Sequence, residues 1–250
     1  MSDQVWLIGA SEGIGASLAR RLAKEGYVIA LSSRNEERLE ALKSELDGAG
    51  HLVAPLDVSD TNSIIDAWST IKKWWDTPGG RQIFVYNAGA YEPIGAAQFD
   101  LKSIEQMLDV NLTGAIRSLS CIMPLFIERN AGHIVLVGSL AGYRGLPNAL
   151  GYGASKAAIN HLGENLKLDL AYTKIKVQLV CPGFVRTRLT DKNHFSMPFL
   201  LSADTAADHI VNGLGQNRFE IRFPWQMAMI FGFLKILPNR IYFWLARHLG

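Results

Sequence analysis

Cysteine and unbalanced charge are both scarce in this sequence. Among its 250 residues there are two cysteines, Cys121 and Cys181, and both lie in apolar stretches where a thiol usually packs as a small hydrophobic side chain. We therefore expect no disulfide and a reducing compartment, such as the cytoplasm. The formal net charge is only +2, with basic and acidic residues scattered along the chain, which argues against nucleic-acid binding.

Internal repeats, low-complexity stretches and clusters of metal-ligating residues are also missing from the sequence. The first residues pass directly into an apolar strand-like run, so we expect no secretory signal peptide. What is present is a hydrophobic content of 48%, which can bury a sizeable core in a chain of this length. We find no sign of a second globular domain.

Strand-like and helix-like runs alternate along the chain. The runs predict strands at 5–8, 28–32, 51–56, 82–86, 133–137 and 176–180, and helices at 16–26, 36–46 and 63–75. Such alternation predicts right-handed crossovers and a parallel sheet covered on both faces. The expected fold class is α/β, a single doubly wound Rossmann-type domain over residues 1–222 with a hydrophobic helical extension at 223–250. In such a fold, ligands bind beyond the carboxyl ends of the strands.

A glycine-rich loop separates the first predicted strand from the first predicted helix. Gly9, Gly13 and Gly15 occupy this loop. Glycines let the backbone approach a pyrophosphate, and the free N–H groups at the helix start favour its negative charge. The spacing Gly-x-x-x-Gly-x-Gly differs from the commoner dinucleotide fingerprint, in which the first two glycines lie closer together. A simple turn is the alternative interpretation.

Tyr152 and Lys156 are four residues apart, a spacing that puts a phenol and an ammonium side by side on a helix. A phenol ionises near pH ~10 in water, so Tyr152 can transfer protons near neutrality only if a positive charge stabilises its phenolate. Lys156 could supply that charge. A solvated pair or a cation–π contact is the alternative for such a spacing.

Together these motifs resemble the short-chain dehydrogenase/reductase family, with matches in order from Gly9 to Thr187. The resemblance implies a catalytic set of Asn111, Ser139, Tyr152 and Lys156. It also implies that the nucleotide cofactor contacts Gly9, Ser11, Glu12, Gly13, Ile14, Gly15, Ser33, Arg34, Asp57, Val58, Asn87, Ala88, Gly89, Tyr152, Lys156, Pro182, Gly183, Val185 and Thr187.

The resemblance further implies a role for each catalytic residue in hydride transfer to or from a carbonyl or alcohol substrate. Tyr152 would be the general acid and base, and Lys156 would lower the pKa of that phenol and bind the nicotinamide ribose. Ser139 would donate a hydrogen bond to the substrate oxygen, and Asn111 would hold a water that connects Lys156 to solvent. Family members commonly form homodimers or homotetramers, and we expect the same here.

The end of the second strand favours NADP over NAD. An acidic residue there would bind the ribose hydroxyls of NAD, whereas this chain has Ser33 followed by Arg34. A guanidinium suits the 2′-phosphate of NADP. Glu12 is a departure, because many NADP-preferring relatives carry a basic residue in the glycine loop.

The substrate is less well defined. The segment 188–202 contains Phe195, Met197 and Phe199, which favours an apolar carbonyl compound, while Arg144, Arg186 or Arg188 could instead receive an acidic group.

The apolar, aromatic-rich segment 223–250 is interrupted by Lys235 and Pro238 before it reaches the ~20 residues needed to span a bilayer. It could lie in a membrane interface, or pack on the core or on another subunit.

An alternative function from another class is an NADP(H)-binding sensor or scaffold that docks to a membrane or partner through segment 223–250. The complete catalytic set argues against this alternative, because a protein that only binds the nucleotide does not need a proton donor beside the nicotinamide. The sequence therefore favours an oxidoreductase, cytoplasmic or peripherally attached to a membrane.

Overall fold

The computed structural model describes residues 2–77, 79–193 and 195–249. Within these residues the strands are β1 Gln4–Ile8, β2 Val28–Ser32, β3 Leu52–Val53, β4 Gln82–Tyr86, β5 Gly132–Val137, β6 Ile175–Pro182 and β7 Glu220–Phe223. The α-helices are α1 Gly13–Lys24, α2 Glu36–Ser44, α3 Thr61–Trp75, α4 Leu101–Leu108, α5 Gly114–Arg129, α6 Leu150–Asp169, α7 Ala203–Leu214, α8 Trp225–Ile236 and α9 Asn239–Leu249.

All strand pairs are parallel, and the order in the sheet is β3-β2-β1-β4-β5-β6-β7. The order reverses between β1 and β4, which is where a doubly wound sheet opens a crevice at the carboxyl ends of its strands. In the register of this central pair, Trp6 lies opposite Phe84. The α/β doubly wound fold expected from the sequence is confirmed.

The hydrophobic core has two halves, one on each face of the sheet. Apolar side chains of α1, α2 and α7 cover one face, and those of α3, α5 and α6 cover the other. An aromatic cluster fills the second half: Trp6 stacks on Trp68 with ring centroids 5.8 Å apart, and Trp75 stacks on Phe126 at 5.6 Å. Burial on both faces explains why the central strands are apolar throughout rather than alternating.

Several element boundaries differ from the predicted ones. The third strand is only two residues long, because the edge of the sheet pairs only Leu52 and Val53 with β2. Helix α1 begins at Gly13, inside the glycine loop, three residues earlier than predicted. Helix α3 begins at Thr61, after the side chain of Asp60 accepts a hydrogen bond from the backbone N–H of Asn62 at 2.9 Å.

A π turn, Asp109–Thr113, joins α4 to α5 and makes one helical run, Leu101–Arg129. By length and composition this run could cross a membrane, but 44% of its most apolar window is buried inside the fold. A helix in the core of a folded domain can have the same length and apolar composition. Asn111 lies in the π turn, a distortion that is frequent at functional sites.

Candidate active site

A cavity of about 510 Å³ opens at the carboxyl ends of the strands. Every residue that the sequence predicted for catalysis or cofactor binding lines this cavity except Gly15 and Asn111. The sheet explains the convergence, because β1, β2, β4, β5 and β6 all end at the same edge and each contributes the residues that follow it.

The glycine loop is held against the end of β4. Asn87 donates a hydrogen bond from Nδ2 to the carbonyl of Gly9 at 2.8 Å. Gly9 has φ +84°, and a Cβ there would lie 2.5 Å from the backbone nitrogen of Ala88. A Cβ on Gly15 would lie 2.0 Å from the carbonyl oxygen of Gly9. Gly15 therefore allows the loop backbone to pack closely at Gly9, although Gly15 does not line the cavity.

Ser33 and Asp57 border the cavity where β2 and β3 end. The Ser33 hydroxyl is buried and has no hydrogen-bond partner within the protein, so it is available to a ligand. Asp57 accepts hydrogen bonds from the backbone and hydroxyl of Ser59 at 2.9 and 2.7 Å. Burial opposes its ionisation, yet these bonds, helped by Arg34, hold the pKa of Asp57 below its ordinary value.

Two arginines neutralise the acidic residue of the glycine loop. Glu12 pairs with Arg38 at 3.2 Å and with Arg188 at 2.7 Å, and both arginines line the cavity. Arg38 lies near the start of α2, which begins at Glu36, and Arg34 precedes that helix. A buried free hydroxyl at Ser33 with guanidinium groups along the same wall fits a phosphorylated ribose, so the residues present suit a dinucleotide with a 2′-phosphate.

Tyr152 is partly buried and lines the cavity together with Ser139, away from the glycine loop. Burial raises the pKa of Tyr152 above its ordinary value, and a hydrogen bond from the Ser139 hydroxyl offsets part of that rise. The ring of Tyr91 packs edge-on against Tyr152, with centroids 4.9 Å apart. Tyr152 is therefore protonated near neutrality, in the form that can donate a proton.

Lys156 is 4% exposed and donates from Nζ to the carbonyl of Val137 at 2.8 Å. Burial lowers its pKa to about 8. Its Nζ lies 5.8 Å from the centroid of the Tyr152 ring, so the predicted juxtaposition on helix α6 is present. The family resemblance implies that this ammonium lowers the pKa of Tyr152, but in the structure burial dominates and the net shift is upward.

Asn111 lies behind the cavity wall and is 1% exposed. Its Oδ1 accepts from the backbone N–H of Ala90 at 2.6 Å, and its Nδ2 donates to the Ala90 carbonyl at 3.0 Å and to the Ser155 hydroxyl at 2.8 Å. The π turn thus ties the segment after β4 to helix α6 between Tyr152 and Lys156.

Two residues that the sequence analysis missed belong to this arrangement. Asn160 donates from Nδ2 to the carbonyl of Ser139 at 3.1 Å, and it follows Tyr152 and Lys156 at intervals of four on α6. Arg38 follows Arg34 at the same interval. Helical spacing could have identified Asn160, because residues four apart share one helix face. It does not indicate Arg38, because α2 begins at Glu36 and Arg34 lies before the helix.

Comparison with known proteins agrees with this geometry. The family model of the short chain dehydrogenases matches residues 3–196. An uncharacterized oxidoreductase of Myxococcus xanthus is 37% identical over 243 residues, which cover 96% of this chain and 95% of the relative.

Two solved structures that bind a nucleotide share the fold. A short-chain dehydrogenase from Sphingobium yanoikuyae in complex with NADPH superposes with a TM-score of 0.80 at 26% identity, covering 95% of this chain and 97% of that chain. A variant of actinorhodin polyketide ketoreductase with NADPH gives a TM-score of 0.77 at 25% identity, covering 89% and 95%. The chain belongs to the short-chain dehydrogenase/reductase family of oxidoreductases.

Proposed function

We propose that the protein is an NADP-dependent oxidoreductase that acts on a carbonyl compound or the corresponding secondary alcohol, with Asn111, Ser139, Tyr152 and Lys156 as its catalytic set. The observation that carries the proposal is the convergence of Tyr152, Ser139 and Lys156 at one end of a cavity whose other end holds the glycine loop. When bound, the nicotinamide supplies or accepts the hydride. The residues of this chain position the reactants and move the proton.

Tyr152 donates its phenolic proton to the substrate oxygen during reduction and removes the hydroxyl proton in the reverse direction. The raised pKa suits the donor role near neutral pH. Ser139 donates a hydrogen bond to the same oxygen, where negative charge builds up. The backbone carbonyl of Val137 holds the Lys156 ammonium in the cavity, where it favours an ionised Tyr152 once the proton has left.

The preference for NADP rests on Ser33, Arg34 and Arg38. Ser33 offers a free buried hydroxyl to the ribose. The negative charge of Glu12 in the glycine loop is offset by its ion pairs with Arg38 and Arg188, so it would repel a 2′-phosphate less. The two similar structures that contain NADPH support the same preference.

Nucleotide binding tests this preference. We expect Arg34→Ala and Arg38→Ala each to weaken NADPH binding at least about tenfold and NADH binding much less, because a charge-assisted bond to phosphate is worth ~1.5–3 kcal/mol. Isothermal calorimetry measures both nucleotides. Arg20→Ala is the matched control, because Arg20 pairs with Glu45 on the surface away from the cavity. Equal losses for NADPH and NADH would contradict the NADP assignment.

The substrate is proposed to be apolar. Phe195 packs edge-on against Phe184 at 5.7 Å, and Phe199 is 46% exposed. Two arginines that could have received an acidic group are engaged within the protein: Arg188 pairs with Glu12, and Arg144 binds the carbonyl of Leu237. Turnover of NADPH with a panel of aldehydes, ketones, quinones and 3-oxoacyl thioesters tests this proposal. Faster reduction of charged than of apolar carbonyls would contradict it.

We also propose that residues 1–222 form the catalytic domain with 223–250 as an attached segment, and that copies pair through α5 and α6. Ile116, Ile127 and Leu168 on these helices are 47%, 51% and 72% exposed, which supports an apolar contact. Light scattering after gel filtration should give a dimer or tetramer, and a monomer would contradict the pairing.

A further inference from the structure

Helix α8 presents a row of large apolar side chains to solvent. Trp225, Met229, Phe233 and Ile236 are 67%, 66%, 58% and 76% exposed. Their spacing of four, four and three residues places them on one side of the helix. Single exposed apolar residues are ordinary, but a contiguous patch of this kind marks a contact surface.

The opposite side of α8 is already covered. Met227 and Ala228 are buried, and Phe231 packs against the core. The helix is therefore apolar all round, yet only half of it lies against the protein. Packing on the core buries one side of α8 and does not explain the exposed apolar row on the other side.

Helix α9 carries aromatic and basic residues together. Ile241 and Phe243 are 49% and 55% exposed, and Arg240 and Arg247 are exposed on the same helix. Tyr242 points the other way, being 3% exposed and donating its hydroxyl to the carbonyl of Gly145. The fold thus holds α9 by one side and leaves a mixed apolar and basic side outward.

Charge distinguishes this segment from the rest of the chain. After Phe223 there are three of the chain's 25 basic residues, Lys235, Arg240 and Arg247, and none of its 23 acidic residues, so the remainder has one more acidic than basic residue. Lys235 lies near Glu164 at 3.9 Å, but the two arginines of α9 are free of acidic neighbours on their own segment. An acid-free apolar surface with basic residues complements an anionic surface.

We propose that α8 and α9 form a membrane-docking surface, which lies in the headgroup region of a bilayer containing anionic lipid. A helix of 12 residues extends about 18 Å, short of the ~30 Å hydrocarbon core, so it lies on the membrane rather than across it. Aromatic rings and basic side chains are the composition that interfacial helices use. A second copy docking face to face would bring two acid-free basic segments together, which is less favourable.

The docking surface is tied to a loop that borders the proposed substrate site. Arg144 donates to the carbonyl of Leu237 at 3.2 Å and to Oδ1 of Asn239 at 2.7 Å, and its guanidinium lies 4.4 Å from the ring centroid of Tyr242. Arg144 lies in the segment between Ser139 and Tyr152. Docking would therefore hold the active-site side of the molecule in a fixed relation to the bilayer.

Sedimentation with vesicles tests the proposal on the full chain. We compare vesicles of phosphatidylcholine alone with vesicles that contain phosphatidylglycerol, at low and high salt. The variants are Met229→Ser with Phe233→Ser for the apolar contact, and Arg240→Gln with Arg247→Gln for charge. The matched control is Ile65→Ser with Tyr172→Ser, because these side chains are 49% and 102% exposed elsewhere on the surface. Circular dichroism and NADPH binding verify that each variant folds.

We expect the wild-type chain and the control to bind the anionic vesicles, and salt to weaken that binding. Each paired variant on α8 or α9 should lower the partition coefficient at least about tenfold. Equal binding of wild type and both variants would overturn the proposal. The proposal would also be overturned if the wild-type chain did not bind vesicles and its dimer dissociated in the Met229→Ser, Phe233→Ser variant. That result would make this face a contact between copies.

A second readout needs no variant. Vesicles with brominated acyl chains should quench part of the tryptophan fluorescence of the wild-type chain, because Trp225 is exposed on the docking surface whereas Trp6 and Trp75 are buried in the core. An absence of quenching by anionic brominated vesicles would overturn the proposal.

Discussion

His133, at the start of strand β5, is 2% exposed, and its Nε2 lies 2.8 Å from Oε1 of Gln178. Burial, with nearby Lys176, lowers its pKa to about 3 from an ordinary value of 6.5. Between these two values the unfolded chain binds a proton that the folded chain does not. The free energy of unfolding therefore falls as the pH falls, by at most about 1.4 kcal/mol per pH unit from this residue.

We predict that His133→Gln makes the pH dependence of stability shallower between pH 6 and pH 4. Glutamine keeps a polar group beside Gln178 and does not titrate. Urea unfolding at a series of pH values measures the slope. His161→Gln controls for the loss of an imidazole, because that side chain is 73% exposed. Identical slopes for wild type and His133→Gln would contradict the prediction.

At the residue scale, the sequence could identify chemistry but not burial. The spacing of Tyr152 and Lys156 predicted their proximity, which the structure shows. The direction of the shift in the pKa of Tyr152 could not be predicted, because it depends on how β5, α6 and the segment after β4 enclose the phenol. The pairing of Glu12 with Arg188 joins residues far apart in sequence, and no local pattern indicates it.

At the element scale, the glycine loop depends on close approach of backbone to backbone. We predict that Gly15→Ala reduces NADPH affinity at least about tenfold, because its Cβ would lie 2.0 Å from the Gly9 carbonyl and must distort the loop that binds the pyrophosphate. Calorimetric titration with NADPH measures the change. Gly215→Ala is the matched control, since a Cβ there meets nothing within 4 Å. Unchanged affinity in Gly15→Ala would show that this approach is not needed.

The elements themselves were largely predictable, since apolar runs bounded by turn residues correspond to β1, β2, β4, β5 and β6. The third strand was predicted too long, because an apolar run at 51–56 does not show that the sheet edge offers only two paired residues. The π turn at Asp109–Thr113 was not predicted either. It arises where Asn111 reaches the backbone of Ala90, a contact made only in the folded chain.

At the scale of the whole molecule, α8 and α9 are held to the catalytic domain by a few contacts. We predict that Arg144→Ala increases hydrogen exchange in residues 237–247 while exchange in the central sheet stays unchanged, because Arg144 links that segment to the loop after β5. Exchange followed by mass spectrometry locates the change. Arg20→Ala, which breaks a surface ion pair with Glu45, is the control. Equal protection of 237–247 in wild type and Arg144→Ala would contradict this linkage.

In the proposed reaction, Tyr152 transfers the proton in an NADPH-dependent reduction. The most direct measurement compares the single-turnover oxidation of bound NADPH by a carbonyl substrate in wild type, Tyr152→Phe and Tyr172→Phe. Tyr172 is 102% exposed, so its substitution controls for the loss of a phenol. We predict that Tyr152→Phe binds NADPH as wild type does but reacts at least ~10²-fold more slowly, while Tyr172→Phe reacts normally. A wild-type rate in Tyr152→Phe would contradict proton transfer by Tyr152.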